Sequence, residues 1–287
     1  MSGNSRFWVA TDEIGFVRNR MARLPPSLWS SSHRDDLDDP VFGSTHTSAY
    51  ACDDLLPAYR RIAADARAED AIQLKRLIRE HLLVYAHDPR RARFLDKTHT
   101  YTVKVGYIDA LLEGCDPLFL LVLRNPYTAC VSAIRRKPPS WRMGLPAHAQ
   151  LRVAAEHWRN SFELALADGA ETGRLTAVRF EDFIADPVAV VRAVCAFVGL
   201  DFDIDLTPQP SQRRPFATLP SDRKWYPLYE DAWRAGVLEA DAAIIDEVCQ
   251  PLASELGYAF GGDGVPSHPL VLTPVADDLS VSLAVSA

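Results

Sequence analysis

Short apolar runs alternate with amphipathic stretches along this chain. The run Leu118–Leu123 is apolar throughout and too short to form a helix of its own. Such a run is typical of a central strand in a parallel sheet that is covered on both faces. Two further short strands are predicted, at Arg93–Leu95 and at Leu175–Phe180, because each is a compact run that leads into polar residues.

Helices are predicted between and around these strands, because apolar residues recur there every three or four positions. The predicted helical segments are Asp53 to about Ala68, Ile72 to about His87, Val103–Leu112, Tyr127–Arg136, His148–Ala167, Val188–Val198 and Val237–Leu256. Alternation of helices with apolar strands predicts a doubly wound α/β domain. We expect a single domain over residues 1–260, followed by a disordered tail over 261–287 that is composed of Gly, Pro and small residues.

Composition narrows the function without identifying it. The 287 residues carry a net charge of −7, which argues against broad nucleic-acid binding. The five cysteines are scattered without a C-x-x-C pair, so we expect reduced thiols and no metal site. No segment has the length and apolarity of a membrane span, and the start lacks the layout of a signal peptide. These features predict a cytoplasmic protein; a homodimer is left open.

One candidate anion site follows the strand Leu118–Leu123. Arg124 stands at the carboxyl end of that strand, the edge where open α/β sheets bind ligands, and Ser132 lies about two turns into the next helix. A guanidinium and a hydroxyl in this arrangement can hold a phosphate by charge-assisted hydrogen bonds. The alternative, on spacing alone of equal weight, is a structural ion pair for Arg124 and a solvent-facing Ser132.

A second candidate is the triplet Lys97-Thr98-His99 at the end of the first predicted strand. A histidine can take a proton from an alcohol, and a lysine can neutralise charge on a departing anion. The simpler reading of His99, which its sequence context alone favours, is a hydrogen-bonded loop residue. The quartet Phe180–Phe183 also has two interpretations. It offers an aromatic face for a base, or it is a helix N-terminus with acidic residues.

Taken in order, these motifs resemble those of the sulfotransferases that use 3′-phosphoadenosine-5′-phosphosulfate (PAPS). The cytosolic members of that family carry Lys-Thr-His with a catalytic histidine, where bacterial relatives more often have Lys-Thr-Pro. The family also has an Arg-Asp/Asn-Pro with a Ser eight residues later that binds the 3′-phosphate, and an aromatic-Glu-Asp. The matching stretches here are Lys97–His99, Arg124-Asn125-Pro126 with Ser132, Phe180-Glu181-Asp182, Asp186-Pro187, Phe197–Leu200, Lys224-Trp225 and Glu255–Tyr258. The resemblance covers about residues 90–260.

The resemblance implies a P-loop-NTPase-like three-layer sandwich, with a central parallel sheet flanked by helices. It implies sulfuryl transfer from PAPS to a hydroxyl of a small-molecule acceptor, with no metal. His99 would be the base and Lys97 would stabilise charge near the transferred group. Arg124 and Ser132 would bind the 3′-phosphate and Phe180 would stand beside the nucleotide. The family's C-terminal phosphate-binding basic residues would be replaced by Arg213, Arg214, Arg223 or Lys224, and Arg223 and Lys224 are the predicted site residues among them.

The sequence also departs from the family pattern. The Gly-rich loop that binds the 5′-phosphosulfate should follow the first strand, and no stretch from Met1 to His99 fits it. The core-like residues Phe7–Ala10 favour a chain that lacks preceding sequence. The alternative is a catalytically inactive relative that binds 3′-phosphoadenosine nucleotides or a protein partner. A nucleotide kinase is disfavoured because a Walker lysine is missing.

Overall fold

Parallel strand pairs packed against helices form the core of the molecule. A computed structural model of the chain describes residues 8–12, 49–86, 88–90, 92–135, 145–203 and 236–261. The strands are β1 (Trp8–Asp12), β2 (Arg93–Lys97), β3 (Phe119–Leu123) and β4 (Leu175–Arg179). Strand β1 pairs with β2 and β3 pairs with β4, both in parallel, so the predicted α/β class is confirmed.

The helices lie between the strands in sequence and after the last of them. They are α1 (Leu56–Tyr59), α2 (Ala68–Tyr85), α3 (Val105–Leu111), α4 (Pro126–Arg135), α5 (Ala147–Thr172), α6 (Phe180–Ala185), α7 (Pro187–Phe197), α8 (Glu239–Cys249) and α9 (Leu252–Glu255). Two 3₁₀ turns, Ala63–Asp65 and His99–Val103, complete the described elements.

Two helix predictions were wrong in their bounds. The helix predicted from Asp53 is a single turn, α1, without a side-chain cap, and a 3₁₀ turn separates it from α2. The helix predicted over Val237–Leu256 is divided at Pro251 into α8 and α9. Proline has no backbone N–H and so cannot continue the hydrogen-bonding pattern of a helix.

The principal core lies where α4, α5 and α8 pack together and against the pair β3–β4. It includes Leu121, Leu123, Val131, Leu151, Trp158, Ala177, Ile245 and Val248. Helix α5 approaches β4 closely at Gly169, where an added Cβ would lie only 2.7 Å from the Cβ of Leu175. The helix ends at Gly173, whose φ of 64° suits a residue without a side chain.

Strand β3 is buried on one face only in the described part of the molecule. Leu121 and Leu123 are buried, whereas Leu120 and Val122 remain 46% and 53% exposed. The expectation of a strand covered on both faces is therefore not met by the described residues. The strand still ends where predicted, directly before Arg124.

Candidate active site

The Lys97–His99 triplet lies where β2 passes into a 3₁₀ turn. Lys97 is the last residue of β2, in register with Asp12 at the end of β1, and His99 is the first residue of the turn. Thr98 between them is extended, with φ −128° and ψ 124°. Side chains two positions apart on an extended backbone share a face, and both Lys97 and His99 are exposed. The structure thus brings the predicted cation and the predicted base to one surface.

Asp96 holds this strand end in place. One of its carboxylate oxygens accepts a hydrogen bond from Thr98 Oγ1 at 3.1 Å, and the other accepts one from the Tyr101 hydroxyl at 3.0 Å. Burial and the nearby Asp96 carboxylate raise the pKa of Tyr101 well above its usual value, so its hydroxyl stays a donor. The carboxylate therefore links the strand, the triplet and the following turn.

The backbone carbonyl of His99 accepts two hydrogen bonds from side chains. Tyr50 donates its hydroxyl at 2.5 Å, and Thr102 donates its own at 3.1 Å. The Tyr50 ring meets the ring of His157 edge-on, with centroids 4.6 Å apart. Tyr50 and His157 were not among the predicted site residues. Tyr50 lies in a stretch with no periodic pattern. His157 lies in a helix that was predicted from its apolar positions, which do not include it.

The peptide that joins Arg124 to Asn125 is hydrogen-bonded on both sides. Trp158 Nε1 donates to the carbonyl of Arg124 at 2.8 Å, and the N–H of Asn125 donates to Glu181 Oε1 at 2.8 Å. Asn125 Oδ1 in turn accepts from the backbone N–H of Tyr127 at 2.9 Å, which satisfies a donor in the first turn of α4. The backbone from which the Arg124 side chain projects is therefore fixed.

The Arg124 side chain lies over the ring of Phe180, with the guanidinium carbon 5.7 Å from the ring centroid. The predicted phosphate-binding cation and the predicted aromatic residue are thus in one place. Ser132 lies on the buried face of α4 and is only 3% exposed, so the alternative of a solvent-facing serine is wrong. Thr128 precedes it by one turn on the same face, and its hydroxyl donates to the carbonyl of Asn125 at 3.2 Å.

Glu181 supports the Arg124 turn from inside the protein, and Asp182 follows it in the sequence. They stand in the first turn of α6, as the helix-N-terminus reading of the quartet predicted, and the structure shows both to be buried. The Tyr258 hydroxyl donates to Glu181 Oε2 at 3.1 Å, and Arg179 Nε donates to Asp182 Oδ2 at 2.8 Å. Arg179 also donates to the carbonyl of Leu256 at 3.2 Å. Burial, followed by the charge of Glu181, raises the pKa of Tyr258 well above its usual value.

Several sequence predictions concern residues that the structure does not describe. Arg223, Lys224 and the tail beyond Gly261 lie outside the described residues, as does most of the loop predicted after Asp201.

Within the described ranges, no three His, Cys, Asp or Glu side chains group as ligands for a metal ion. No described helix combines the length and the apolarity needed to cross a bilayer.

Comparison with known proteins identifies the family. A family model described as "Sulfotransferase family" matches residues 20–204, well over half of the chain. A search of curated proteins found no significant match.

Solved structures of low identity also match. A sulfotransferase domain from the curacin biosynthetic pathway is 19% identical, with 66% of this chain and 68% of that chain covered and a TM-score of 0.45. The sulfotransferase STF9 from Mycobacterium avium is 18% identical, with 76% and 54% covered and a TM-score of 0.42. A sulfotransferase domain from the Synechococcus PCC 7002 olefin synthase is 17% identical, with 88% and 94% covered and a TM-score of 0.41. With TM-scores this low, the family assignment rests on the family model alone.

Proposed function

The chain belongs to the sulfotransferase family, and from that premise we propose that it transfers a sulfuryl group from PAPS to a hydroxyl of a small molecule. The observation that carries the proposal is the fixed Arg124: its backbone peptide is hydrogen-bonded on both sides and its guanidinium lies over Phe180. A guanidinium held in this way is suited to bind a phosphate, such as the 3′-phosphate of the donor. Ser132, on the helix that follows, is the proposed hydroxyl partner.

The proposed reaction is an in-line displacement at sulfur. The acceptor oxygen forms a bond to sulfur while the bond from sulfur to the 5′-phosphate oxygen breaks, and the acceptor proton passes to the His99 imidazole. 3′-Phosphoadenosine 5′-phosphate (PAP) leaves with the electron pair of the broken bond, and Lys97 stabilises the charge that develops near it. As in phosphoryl transfer, positioning and charge neutralisation provide most of the catalysis.

Calorimetry with PAP and with AMP tests the donor site without knowledge of the acceptor. We expect Arg124→Ala to weaken PAP binding by about 10- to 100-fold, because charge-assisted hydrogen bonds contribute about 1.5–3 kcal/mol. AMP lacks the 3′-phosphate, so its binding should change far less. Arg76→Ala, at an exposed position on α2, is the matched control and should leave both affinities unchanged. Equal weakening of PAP and AMP by Arg124→Ala would reject the 3′-phosphate assignment.

Turnover is tested by PAP release from PAPS in the presence of phenols, primary alcohols and amines. His99→Ala should keep the affinity for PAP and abolish turnover of whichever acceptor the wild type uses. Unchanged turnover would remove His99 from the mechanism. Comparison of phenols and alcohols with amines also tests whether the acceptor group is a hydroxyl.

A second candidate function is that of a non-catalytic relative that keeps the 3′-phosphate site. It is favoured by the sequence after β1, where Asp12 is followed by Glu13-Ile14-Gly15 rather than by a Gly-Thr-Thr turn. Backbone N–H groups of such a turn would hold the phosphosulfate end of the donor. PAP binding at Arg124 with no turnover of any acceptor would support this candidate. Cytoplasmic location and a homodimer remain predictions in both cases.

A further inference from the structure

Tyr50 connects helix α5 to the backbone of the proposed base. It is only 4% exposed, and its hydroxyl donates to the carbonyl of His99 at 2.5 Å. The same hydroxyl lies 2.9 Å from Thr102 Oγ1, which itself donates to the His99 carbonyl. The carbonyl of an exposed histidine is thus held by two hydroxyl groups, one of which belongs to a residue 49 positions away in the sequence.

Helix α5 fixes Tyr50 through the next residue, Ala51. The N–H of Ala51 donates to His157 Nδ1 at 3.1 Å, and the carbonyl of Ala51 accepts from Asn160 Nδ2 at 2.7 Å. Both polar groups of one buried residue are therefore bonded to neighbouring turns of a single helix. The His157 ring also contacts the Tyr50 ring edge-on, at an interplanar angle of 88°.

His157 is suited to this contact and not to proton transfer. Its Nδ1 accepts the Ala51 hydrogen bond, which assigns the ring proton to Nε2 in the neutral form. Burial, followed by the charge of nearby His99, lowers the pKa of His157 to about 4, so the ring is neutral at physiological pH. An uncharged ring adds no cation beside His99 when that residue takes up a proton.

We infer that Tyr50 and His157 are positioning residues for His99, acting through Ala51 and the His99 carbonyl. The inference rests on the proposed function, in which His99 is the base. Misplacement of a reacting group by 1 Å can lower a rate by about 100-fold, so fixing the backbone of an exposed histidine has a direct effect on catalysis. Neither residue is proposed to touch the donor or the acceptor.

Steady-state kinetics with the best acceptor test this chain of contacts. Tyr50→Phe removes the hydroxyl and keeps the ring, and we expect kcat to fall about tenfold or more while KM for PAPS and Kd for PAP stay within about twofold. Tyr107→Phe is the matched control, because it removes a buried hydroxyl that bonds Asp70 at 3.2 Å on a different helix pair. Its kcat should not change. Thermal melting of each variant verifies that the compared proteins are folded.

Two substitutions of His157 separate positioning from general stability. The amide oxygen of His157→Asn can replace Nδ1 as the acceptor for Ala51, whereas His157→Leu has no acceptor. We expect kcat to fall in His157→Leu and to recover most of its value in His157→Asn. Equal loss of kcat in the two variants, or a kcat that follows melting temperature alone in all variants, would overturn the inference.

An NMR readout keeps this inference separate from the proposed reaction. The Cε1–Hε1 signal of His99 is assigned as the one lost in His99→Ala, and it should shift in Tyr50→Phe without any donor or acceptor present. A shift combined with unchanged turnover of His99→Ala would support the positioning contacts and reject His99 as the base. An unchanged His99 signal in both Tyr50→Phe and His157→Leu would reject the positioning contacts themselves.

Discussion

Glu181 accepts a hydrogen bond from the backbone N–H of Asn125 at 2.8 Å, across 56 positions of sequence. That N–H belongs to the same peptide unit as the Arg124 carbonyl, which accepts from Trp158 at 2.8 Å. One buried carboxylate and one buried indole therefore fix the two sides of a single peptide. The carboxylate thus supports the proposed phosphate-binding arginine through its backbone.

We expect Glu181→Ala to lower the free energy of unfolding by about 3 kcal/mol, because it leaves the Asn125 N–H and the Tyr258 hydroxyl buried without this acceptor. PAP binding should weaken several-fold, since the Arg124 turn loses one of its two supports. Urea denaturation and calorimetry measure the two effects. Glu163→Ala, at an exposed position on α5, should change stability by less than about 0.5 kcal/mol. A Glu181→Ala protein as stable as this control would contradict the prediction.

Phe180 should contribute to PAP binding through its ring. The guanidinium of Arg124 lies over that ring, a contact that contributes about 0.5–1 kcal/mol at a partly exposed site. Phe180→Leu should therefore weaken PAP binding about two- to fivefold, and Phe180→Tyr, which retains an aromatic face, should stay near wild type. Calorimetry distinguishes these outcomes, and equal affinities of the Leu and Tyr variants would show that the ring is not needed.

The ion pair between Arg60 and Asp168 should be important for stability. It is bidentate, at 2.7 and 2.6 Å, and Asp168 also accepts from the N–H of Gly106 at 3.0 Å. The Asp168 side chain is 7% exposed and that of Arg60 22%, so removal of the carboxylate leaves a mostly buried cation. We expect Asp168→Ala to cost about 2–3 kcal/mol in urea denaturation.

The comparison for this ion pair is Glu80→Ala, which breaks the exposed pair of Glu80 with Arg76, where the Arg76 side chain is 77% exposed. That variant should lose less than about 0.5 kcal/mol. Similar losses in the two variants would show that burial does not govern the contribution of these pairs.

His157 should make stability depend on pH below neutrality. Its pKa is lowered by burial from 6.5 to about 4 in the folded protein, so the unfolded chain binds a proton first as pH falls. The contribution of the neutral His157 to the free energy of unfolding is therefore present in full above pH 6.5, and it is lost progressively as the pH falls to 4. We expect a loss of about 2 kcal/mol between pH 7 and pH 5 relative to His157→Asn, which cannot titrate there. Urea denaturation at both pH values measures it, and parallel pH dependence of the two proteins would contradict it.

Thiol reactivity should single out Cys115. All five cysteines are free thiols, and Cys115 alone among them is exposed. Burial raises the pKa of Cys52 to about 11, and a hydrogen bond with Cys249, together with burial, raises that of Cys130. Titration with a chromogenic disulfide at pH 8 should show one fast thiol in the native protein and none in Cys115→Ser. A second fast thiol in the wild type would contradict the burial of the other four.

The strand ends of the site could be predicted because they depend on local patterns. The apolar run ends directly before Arg124 as the sequence indicated, and β2 extends two residues beyond the predicted Arg93–Leu95 to end at Lys97. Trp158 was predicted only as an apolar residue of a helix, since nothing local shows that its N–H bonds the Arg124 carbonyl. Tyr50 and His157 could not be found because their contacts join residues about 50 and 100 positions apart, and hydrogen bonds of that kind leave no periodic signal.

His157 and Trp158 are consecutive residues of α5, and they serve opposite ends of the proposed donor site. His157 supports the strand end that carries His99, and Trp158 bonds the carbonyl of Arg124. Because α5 is one continuous helix of 26 residues, these two supports keep a fixed position relative to each other. On the proposed assignment, a substitution that displaces α5 would disturb the His99 end and the Arg124 end of the donor site together.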